Sequence, residues 1–108
     1  MVKQGDIIKL DLSPTAGHEQ SGYRPAVVIS NDFAIAKTNV VYVAPITNAL
    51  RRFPLHVALD SRTKTTGEIL CEQVKAVDLN ARQYALIEHL PEDILEMVLT
   101  CVIGCFDA

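Results

Sequence analysis

Hydrophobic and polar residues alternate along much of the first four fifths of the chain. Near the N-terminus, Ile8, Leu10 and Leu12 are separated by charged residues, and this period of two is typical of a strand with one buried face. Similar alternating or β-branched runs follow, with turn residues between them. The pattern predicts strands at residues 5–12, 23–30, 40–47, 54–59, 68–73, 75–79 and 84–88.

The hydrophobic period lengthens near the C-terminus, where two neighbouring apolar rows run four residues apart and describe one wide face. Pro91 suits a first helical position, because its missing N–H has no partner there. The acidic residues Glu92 and Asp93 suit the positive end of the helix dipole. We therefore predict a helix over residues 91–106 with the apolar rows Ile94, Val98, Val102 and Leu95, Leu99, Ile103.

The order of these elements indicates a mainly β fold of the α+β class. Many short strands without long helices between them, followed by one terminal helix, favour a small mixed or antiparallel barrel over a parallel α/β sheet. The length of 108 residues suits one domain, so we expect residues 1–108 to share one core.

Composition narrows the class of protein. With 49% hydrophobic and 21% charged residues, the chain is typical of a folded globular protein. Its apolar runs fall short of the roughly 18 residues of a membrane span, and its N-terminus lacks the pattern of a signal peptide. We therefore expect a cytoplasmic protein. With aromatic residues at only 6%, we also expect an apolar face to be shared with a second copy.

Charge and cysteine content exclude further classes. Residues 1–83 hold all ten Lys and Arg with eight acidic residues, whereas residues 84–108 hold five acidic residues and no Lys or Arg. This balance argues against avid, sequence-blind binding of duplex DNA, and the acidic segment is either the solvated face of a helix or an acidic tail. Three cysteines argue against a disulfide framework. Cys101 and Cys105 lack zinc-site spacing, and we interpret them as small core residues.

The motifs of several enzyme classes are absent from the sequence, including a Gly-rich phosphate loop, a metal-binding His pair and a Ser nucleophile elbow. What remains are polar residues at strand ends and in loops, where a rigid sheet can hold reactive groups around a cleft. They are His18, Glu19, Arg24, Thr47, Arg51, Arg52, Glu72 and Gln73.

Each main candidate has a functional and a structural interpretation. His18 can transfer a proton near neutral pH or be an exposed loop residue, and Thr47 can donate to a phosphate oxygen or be an ordinary strand residue. Arg24, extended because Pro25 follows it, can face a phosphate or a surface carboxylate. Glu72 is a base if burial raises its pKa, or else an outward-facing strand residue.

The first loop and its flanking strands resemble the MazF/PemK (Kid) family of bacterial toxins from toxin–antitoxin pairs. The specific segment holds Gly-His-Glu-Gln at residues 17–20 and Arg-Pro at residues 24–25. The remaining agreement lies in residues 5–7, 11–28, 44–47, 65–67 and 71–82, in the family's order, and the predicted terminal helix also falls where the family has one.

This resemblance implies an SH3-like barrel, a homodimer, a cognate antitoxin and no cofactor. It also implies a metal-independent endoribonuclease that cleaves single-stranded mRNA at short motifs and thereby inhibits translation and growth. The ribose 2′-hydroxyl attacks the adjacent phosphate and displaces the 5′-oxygen, leaving a 2′,3′-cyclic phosphate and a 5′-hydroxyl. Such chemistry needs a base, an acid and fixed donors for the phosphoryl charge.

Matched by position, Arg24 and Thr47 correspond to the catalytic pair of MazF-like members. His18 and Glu72 correspond to active-site residues of the Kid-like branch. That branch has an Arg two residues before its carboxylate, usually Asp, where this chain has Leu70 before Glu72. Charge stabilisation therefore falls to Arg24, and Glu72 is the candidate base. The candidate RNA-binding residues are Glu19, Gln20, Tyr23, Asn48, Arg51, Arg52 and Gln73.

A second hypothesis from another functional class stays open at this point. The same barrel occurs in non-enzymatic toxins that poison gyrase, and an RNA-binding relative could lack turnover. A fold alone does not separate these alternatives, whereas the Arg24 and Thr47 motifs favour the nuclease.

Overall fold

Antiparallel strands make up most of the computed structural model, which describes residues 2–12, 22–38, 40–49 and 54–107. Within these ranges the strands are β1 (Asp6–Asp11), β2 (Tyr23–Val28), β3 (Val40–Thr47), β4 (His56–Ala58), β5 (Glu68–Leu70), β6 (Lys75–Asp78) and β7 (Tyr84–His89). The helices are α1 (Asp32–Lys37) and α2 (Glu92–Gly104), and a 3₁₀ turn spans Cys71–Gln73.

The strands form a sheet in the order β4-β5-β3-β2-β1-β7, and β6 pairs with β3 as well. The eight-residue β3 accommodates three neighbours because its start pairs with β6, its end with β5 and its middle with β2. No ladder joins β4 to β7 among the described residues. The predicted mainly antiparallel fold with a C-terminal helix is confirmed, although strand pairing does not close the described sheet into a barrel.

Side chains bridge the two edges instead. Glu88 on β7 accepts hydrogen bonds from the backbone N–H groups of Lys64 (3.1 Å) and Thr65 (2.8 Å), which lie in the connection between β4 and β5. In the same connection, Arg62 donates to both carboxylate oxygens of Asp93 on α2, at 2.8 and 2.9 Å. Two residues of the acidic C-terminal segment thus hold the β4–β5 connection against β7 and α2.

Both faces of the central strands β1, β2 and β3 are largely buried, which is why these strands carry apolar runs. One face packs against α2, and its core contains Ile7, Val27, Ala44, Ile46, Ile69, Ile94 and Val98. The other face encloses a second cluster that includes Ile8, Leu10, Ala26, Val28, Val43 and Val77. Burial of each such large apolar side chain contributes roughly 1.5–3 kcal/mol, so the two clusters hold the sheet rigid beneath its polar strand ends.

The strand predictions are confirmed, most with shorter limits, β3 with the predicted limits and β7 with one more residue; three details are wrong. The fifth strand ends at Leu70, because the chain turns into the 3₁₀ segment there. Pro91 precedes the terminal helix in an extended conformation (φ −56°, ψ 143°), so α2 begins at Glu92. The helix α1 was missed, because it has six residues and buries only Ile35, too little for a helical period to show; the Asn31 side chain caps it through Ala34 N at 2.8 Å.

The cysteines differ in environment. Cys71 is buried, Cys101 is half-buried against the core, and Cys105 is exposed. The prediction that the helical cysteines are core residues is therefore wrong for Cys105, because it follows the last turn of α2, past the face that packs on the sheet. Burial raises the pKa of the Cys71 thiol. Among the described residues, no helix is both long and apolar enough to cross a bilayer.

Candidate active site

Arg24 and Thr47 lie just past the paired part of β2 and β3. The paired residues of this ladder run from Val28 and Val43 to Ala26 and Pro45. Arg24 and Thr47 each lie two residues beyond the last pair, so strand alternation gives them the face shared by Ala26 and Pro45. Arg24 is half-buried and Thr47 is buried.

This polar row continues across the next two strands. Thr47 pairs with Glu68 on β5, and Glu68 pairs in turn with Ala58 on β4. Two residues before Ala58, His56 lies on the same face of β4. Strands β2, β3, β5 and β4 are adjacent in that order, so residues far apart in the chain form one band of polar side chains.

His56 joins two carboxylates at the end of this band. Its Nε2 donates to Oε2 of Glu72 at 2.9 Å, and its Nδ1 lies 3.4 Å from Oε1 of Glu68. The side chains of His56 and Glu68 are 5% and 9% exposed, whereas that of Glu72 is 29% exposed. One imidazole thus lies between two carboxylates, with a nitrogen within 3.4 Å of each.

Glu72 therefore differs from its sequence prediction in position and environment. It lies in the 3₁₀ turn after β5, not within a strand, and it is an exposed residue. Neither interpretation made from the sequence holds in full, because Glu72 is exposed and does not lie in a strand. The preceding residue Leu70, at the position of the Kid-like Arg, is buried and pairs with His56 across the ladder, so the group that contacts the Glu72 carboxylate comes from the neighbouring strand.

A close approach of two backbones holds Thr47 in place. Gly67 has φ +118°, and a Cβ atom there would lie 2.8 Å from the carbonyl carbon of Thr47 and collide with its oxygen. The Thr66 hydroxyl donates to Oδ1 of Asn48 at 2.9 Å, and Ala49 N donates to the Thr47 hydroxyl at 3.1 Å. Because that hydroxyl oxygen already accepts from Ala49, its own proton is available to donate to a substrate.

The roots of the first loop are anchored next to Arg24. Leu12 N donates to the carbonyl oxygen of Gly22 at 3.0 Å, and Lys75 Nζ donates to the Leu12 carbonyl oxygen at 2.8 Å. The first of these hydrogen bonds joins the two ends of the loop, Leu12 and Gly22, directly before β2 begins at Tyr23. The predicted site residues His18, Glu19, Gln20, Arg51 and Arg52 lie outside the described residues.

The structure describes three further residues that the sequence predicts to bind RNA: Asn48, Gln73 and Tyr23. Asn48 directly follows Thr47 and is exposed, and Gln73 directly follows Glu72 and is half-buried. Tyr23 is exposed. Because successive residues of a strand point to opposite faces, it lies on the face opposite Arg24. Its ring lies 5.2 Å from Lys9 Nζ.

Sequence reasoning missed His56, Glu68 and Gly67. Glu68 and His56 each begin a short apolar strand, and a polar residue at a strand start is unremarkable without knowledge of its neighbours. Gly67 offered a signal, since Gly directly before a strand marks a place where another backbone can approach closely.

Two other observations bear on the chemistry of the protein. Among the described residues, no group of His, Cys, Asp or Glu side chains is arranged to hold a metal ion. A separate histidine–carboxylate pair lies at the other edge of the sheet, where His89 Nδ1 is 2.9 Å from Oδ1 of Asp6. The hydrogen bond to Asp6 raises the pKa of His89.

Comparisons with known proteins agree on one family. Residues 3–106 match the family described as PemK-like, MazF-like toxin of type II toxin-antitoxin system. The chain is 35% identical over 102 residues to endoribonuclease PemK of Escherichia coli, covering 91% of this chain and 77% of that protein. It superposes on MazF from Deinococcus radiodurans with a TM-score of 0.89 at 27% identity, covering 96% and 94% of the two chains. A MazE–MazF structure from the same organism gives a TM-score of 0.82 at 27% identity, with the same coverage.

Proposed function

Because the chain belongs to the family of PemK-like, MazF-like toxins of type II toxin–antitoxin systems, we propose that it cleaves single-stranded mRNA through Arg24, Thr47 and Glu72. Residues 1–108 form one toxin domain in this proposal, and cleavage in the cytoplasm at short sequence motifs stops translation and growth. The relative PemK is named an endoribonuclease, which favours this function over a non-enzymatic toxin on the same fold.

The observation that carries the proposal is the placement of Arg24 and Thr47 on one face, each two residues beyond the last pair of the β2–β3 ladder. A guanidinium and a hydroxyl on one face can donate to the same phosphodiester, and Arg is suited to this role by its fork of donors. Both groups lie at strand ends on a rigid sheet, so they are preorganised for the charge that develops on the phosphoryl oxygens.

The reaction is the internal attack of the ribose 2′-hydroxyl on the adjacent phosphorus. The 2′-oxygen gives its proton to a base and forms a bond to phosphorus, the bond from phosphorus to the 5′-oxygen breaks, and an acid protonates that leaving oxygen. Arg24 is always protonated and has no free site to accept the proton, so we assign the base to Glu72 and leave the acid role to His18. The nucleophile belongs to the RNA, so no metal is required to activate a water.

The RNA-binding surface extends from this centre. Asn48 and Gln73 follow the two reacting residues in the chain, where they can hydrogen-bond to base edges of a single strand. The predicted contacts of Glu19, Gln20, Tyr23, Arg51 and Arg52 complete the proposed interface. The acidic residues Glu88 and Asp93 bind the β4–β5 connection. The RNA phosphates can therefore contact the weakly basic part of the chain, residues 1–83.

We propose that a homodimer forms through the C-terminal end of α2. Phe106 is 79% exposed, Ile103 is 60% exposed and Tyr42 is 53% exposed. A cavity of about 440 Å³ lies between these elements, lined by Ile29, Tyr42, Val74, Val102 and Phe106 among others. Exposed apolar patches of this kind mark interaction surfaces. The MazE–MazF structure of the Deinococcus relative favours a cognate antitoxin as a further partner.

Cleavage of a long RNA in the presence of a chelator tests the proposed function. The purified protein should produce 2′,3′-cyclic phosphate and 5′-hydroxyl ends at a short recurring motif. Arg24→Ala should lower kcat by about 10²-fold or more, the effect of losing one preorganised donor, and Thr47→Val should also lower kcat.

Arg62→Ala is the matched control, because this guanidinium binds Asp60 and Asp93 outside the site. It should cleave RNA at the wild-type rate. Normal cleavage by Arg24→Ala, or activity that disappears in chelator and returns with magnesium, would contradict the proposal.

A further inference from the structure

We propose that His56 is a positioning residue that holds the Glu72 carboxylate in the orientation needed for proton transfer, with Glu68 fixing the ring from its other side. This inference rests on the proposed function, in which Glu72 accepts the proton of the 2′-hydroxyl. It adds two residues, from β4 and β5, that the chain's similarity to known toxins does not assign.

The burial of His56 defines its role. With a side chain only 5% exposed, the ring cannot reach a ribose or a phosphate of bound RNA. Its Nε2 is nevertheless 2.9 Å from Oε2 of Glu72, which is short enough for a charge-assisted hydrogen bond. His56 therefore acts on the reaction through Glu72 and not by contact with substrate.

Glu68 supplies the other half of the arrangement. Its side chain is 9% exposed and its Oε1 lies 3.4 Å from His56 Nδ1. A carboxylate so far from water is costly unless a cation or hydrogen-bond donor is next to it. Glu68 is paired in the ladder with Thr47, so its contact with Nδ1 at 3.4 Å places the ring next to the strand that carries the Thr47 hydroxyl.

Glu72 is the flexible member that this support orders. It lies in a three-residue 3₁₀ turn and its side chain is 29% exposed, so an unsupported Glu would sample several rotamers. Within the described part of the chain, no hydrogen bond engages its Oε1 atom. The His56 ring thus holds one carboxylate oxygen of Glu72, and the other oxygen can accept a proton from a substrate bound on the solvent side.

A double-mutant cycle on His56 and Glu72 tests this coupling, with kcat and KM measured on a short RNA substrate. His56→Leu should lower kcat by about tenfold or more, the usual effect of losing a supporting partner of a reacting group, and should change KM less than twofold. His56→Gln retains one N–H donor toward Glu72 and should recover part of the lost kcat. In the Glu72→Gln background, His56→Leu should cause no further loss.

Two controls separate positioning from folding. His89→Gln disrupts a histidine–carboxylate pair at the opposite edge of the sheet and should leave kcat unchanged. If circular dichroism shows that His56→Leu is unfolded, Glu68→Gln decides the question, because it weakens the second anchor while keeping the side-chain volume. A folded Glu68→Gln variant should also have a lowered kcat.

The outcomes distinguish this inference from the proposed function. Wild-type kcat in folded His56→Leu or Glu68→Gln, or an equal loss from His56→Leu with and without Glu72, would overturn the positioning role while Arg24→Ala remains inactive. Full activity in Arg24→Ala would instead overturn the proposed function. A lowered kcat that depends on the presence of Glu72 supports both.

Discussion

Gly67 sets the position of Thr47 through backbone contact, because a side chain at residue 67 would collide with the Thr47 carbonyl. Its φ of +118° adds a conformational requirement that only Gly meets without strain. Together with the hydrogen bond from Thr66 to Asn48, this contact fixes the end of β3 against the start of β5. The Thr47 hydroxyl is thus placed by a residue that has no side chain beyond a hydrogen atom.

Gly67→Ala should lower kcat for RNA cleavage by at least tenfold, because the new Cβ pushes the Thr47 backbone away from Arg24. Steady-state cleavage rates measure the effect, and circular dichroism establishes that the variant is folded. The matched control is Gly104→Ala in α2, where a Cβ meets no atom within 4 Å. Wild-type kcat in a folded Gly67→Ala variant would show that Thr47 does not depend on this contact.

At the scale of elements, Glu88 connects β7 to the β4–β5 connection. Partial burial acts to raise the pKa of Glu88, but hydrogen bonds from the backbone of Thr65 and Lys64 and from the Thr65 hydroxyl hold it below its ordinary value of 4.5. The folded state therefore favours the ionised carboxylate. Its contribution to stability is present above pH 4.5 and is lost as the pH falls through the lowered pKa.

Glu88→Gln should lower the free energy of unfolding at pH 7 by about 1 kcal/mol, because three donors lose a charged acceptor that is partly screened by solvent. The difference from wild type should shrink when urea denaturation is repeated below pH 4. Glu96→Gln, an exposed position on α2, should show no such pH dependence. A difference that stays constant between pH 7 and pH 3 would contradict the role assigned to the carboxylate charge.

At the scale of the whole molecule, the exposed apolar residues at the end of α2 form the surface that we propose for dimerisation. A domain of about 100 residues buries only a little over 60% of its unfolded surface, and Phe106 and Ile103 remain exposed in the isolated chain. Packing of this surface against a second copy would bury them. In the proposed homodimer it would also bring two polar bands into one assembly.

Phe106→Asp should convert the dimer to a monomer, because a carboxylate cannot be buried without a partner at an apolar interface. Light scattering coupled to size-exclusion chromatography measures the mass directly. Leu86→Ser, at another exposed apolar position on β7, is the control and should remain dimeric. A monomeric wild-type protein, or a dimeric Phe106→Asp variant, would place the proposed interface elsewhere or remove it.

The sequence by itself determined the elements and part of the site. Alternation in β1 and the four-residue rows of α2 are local patterns, because the direction of each side chain follows from its own backbone. The motif residues Arg24 and Thr47 were also identifiable, since the neighbours of Arg24 and Thr47 in the chain carry the family resemblance.

Only the tertiary structure decided which strands are adjacent and what surrounds Glu72. The pairing of β3 with β5, and of β5 with β4, joins Thr47, Glu68 and His56 across a separation of up to 21 residues, and no local pattern encodes such pairing. Whether the sheet closes likewise depends on the packing of all strands together. The partner of a charged side chain is a property of the fold, because burial and register are set by residues distant in sequence.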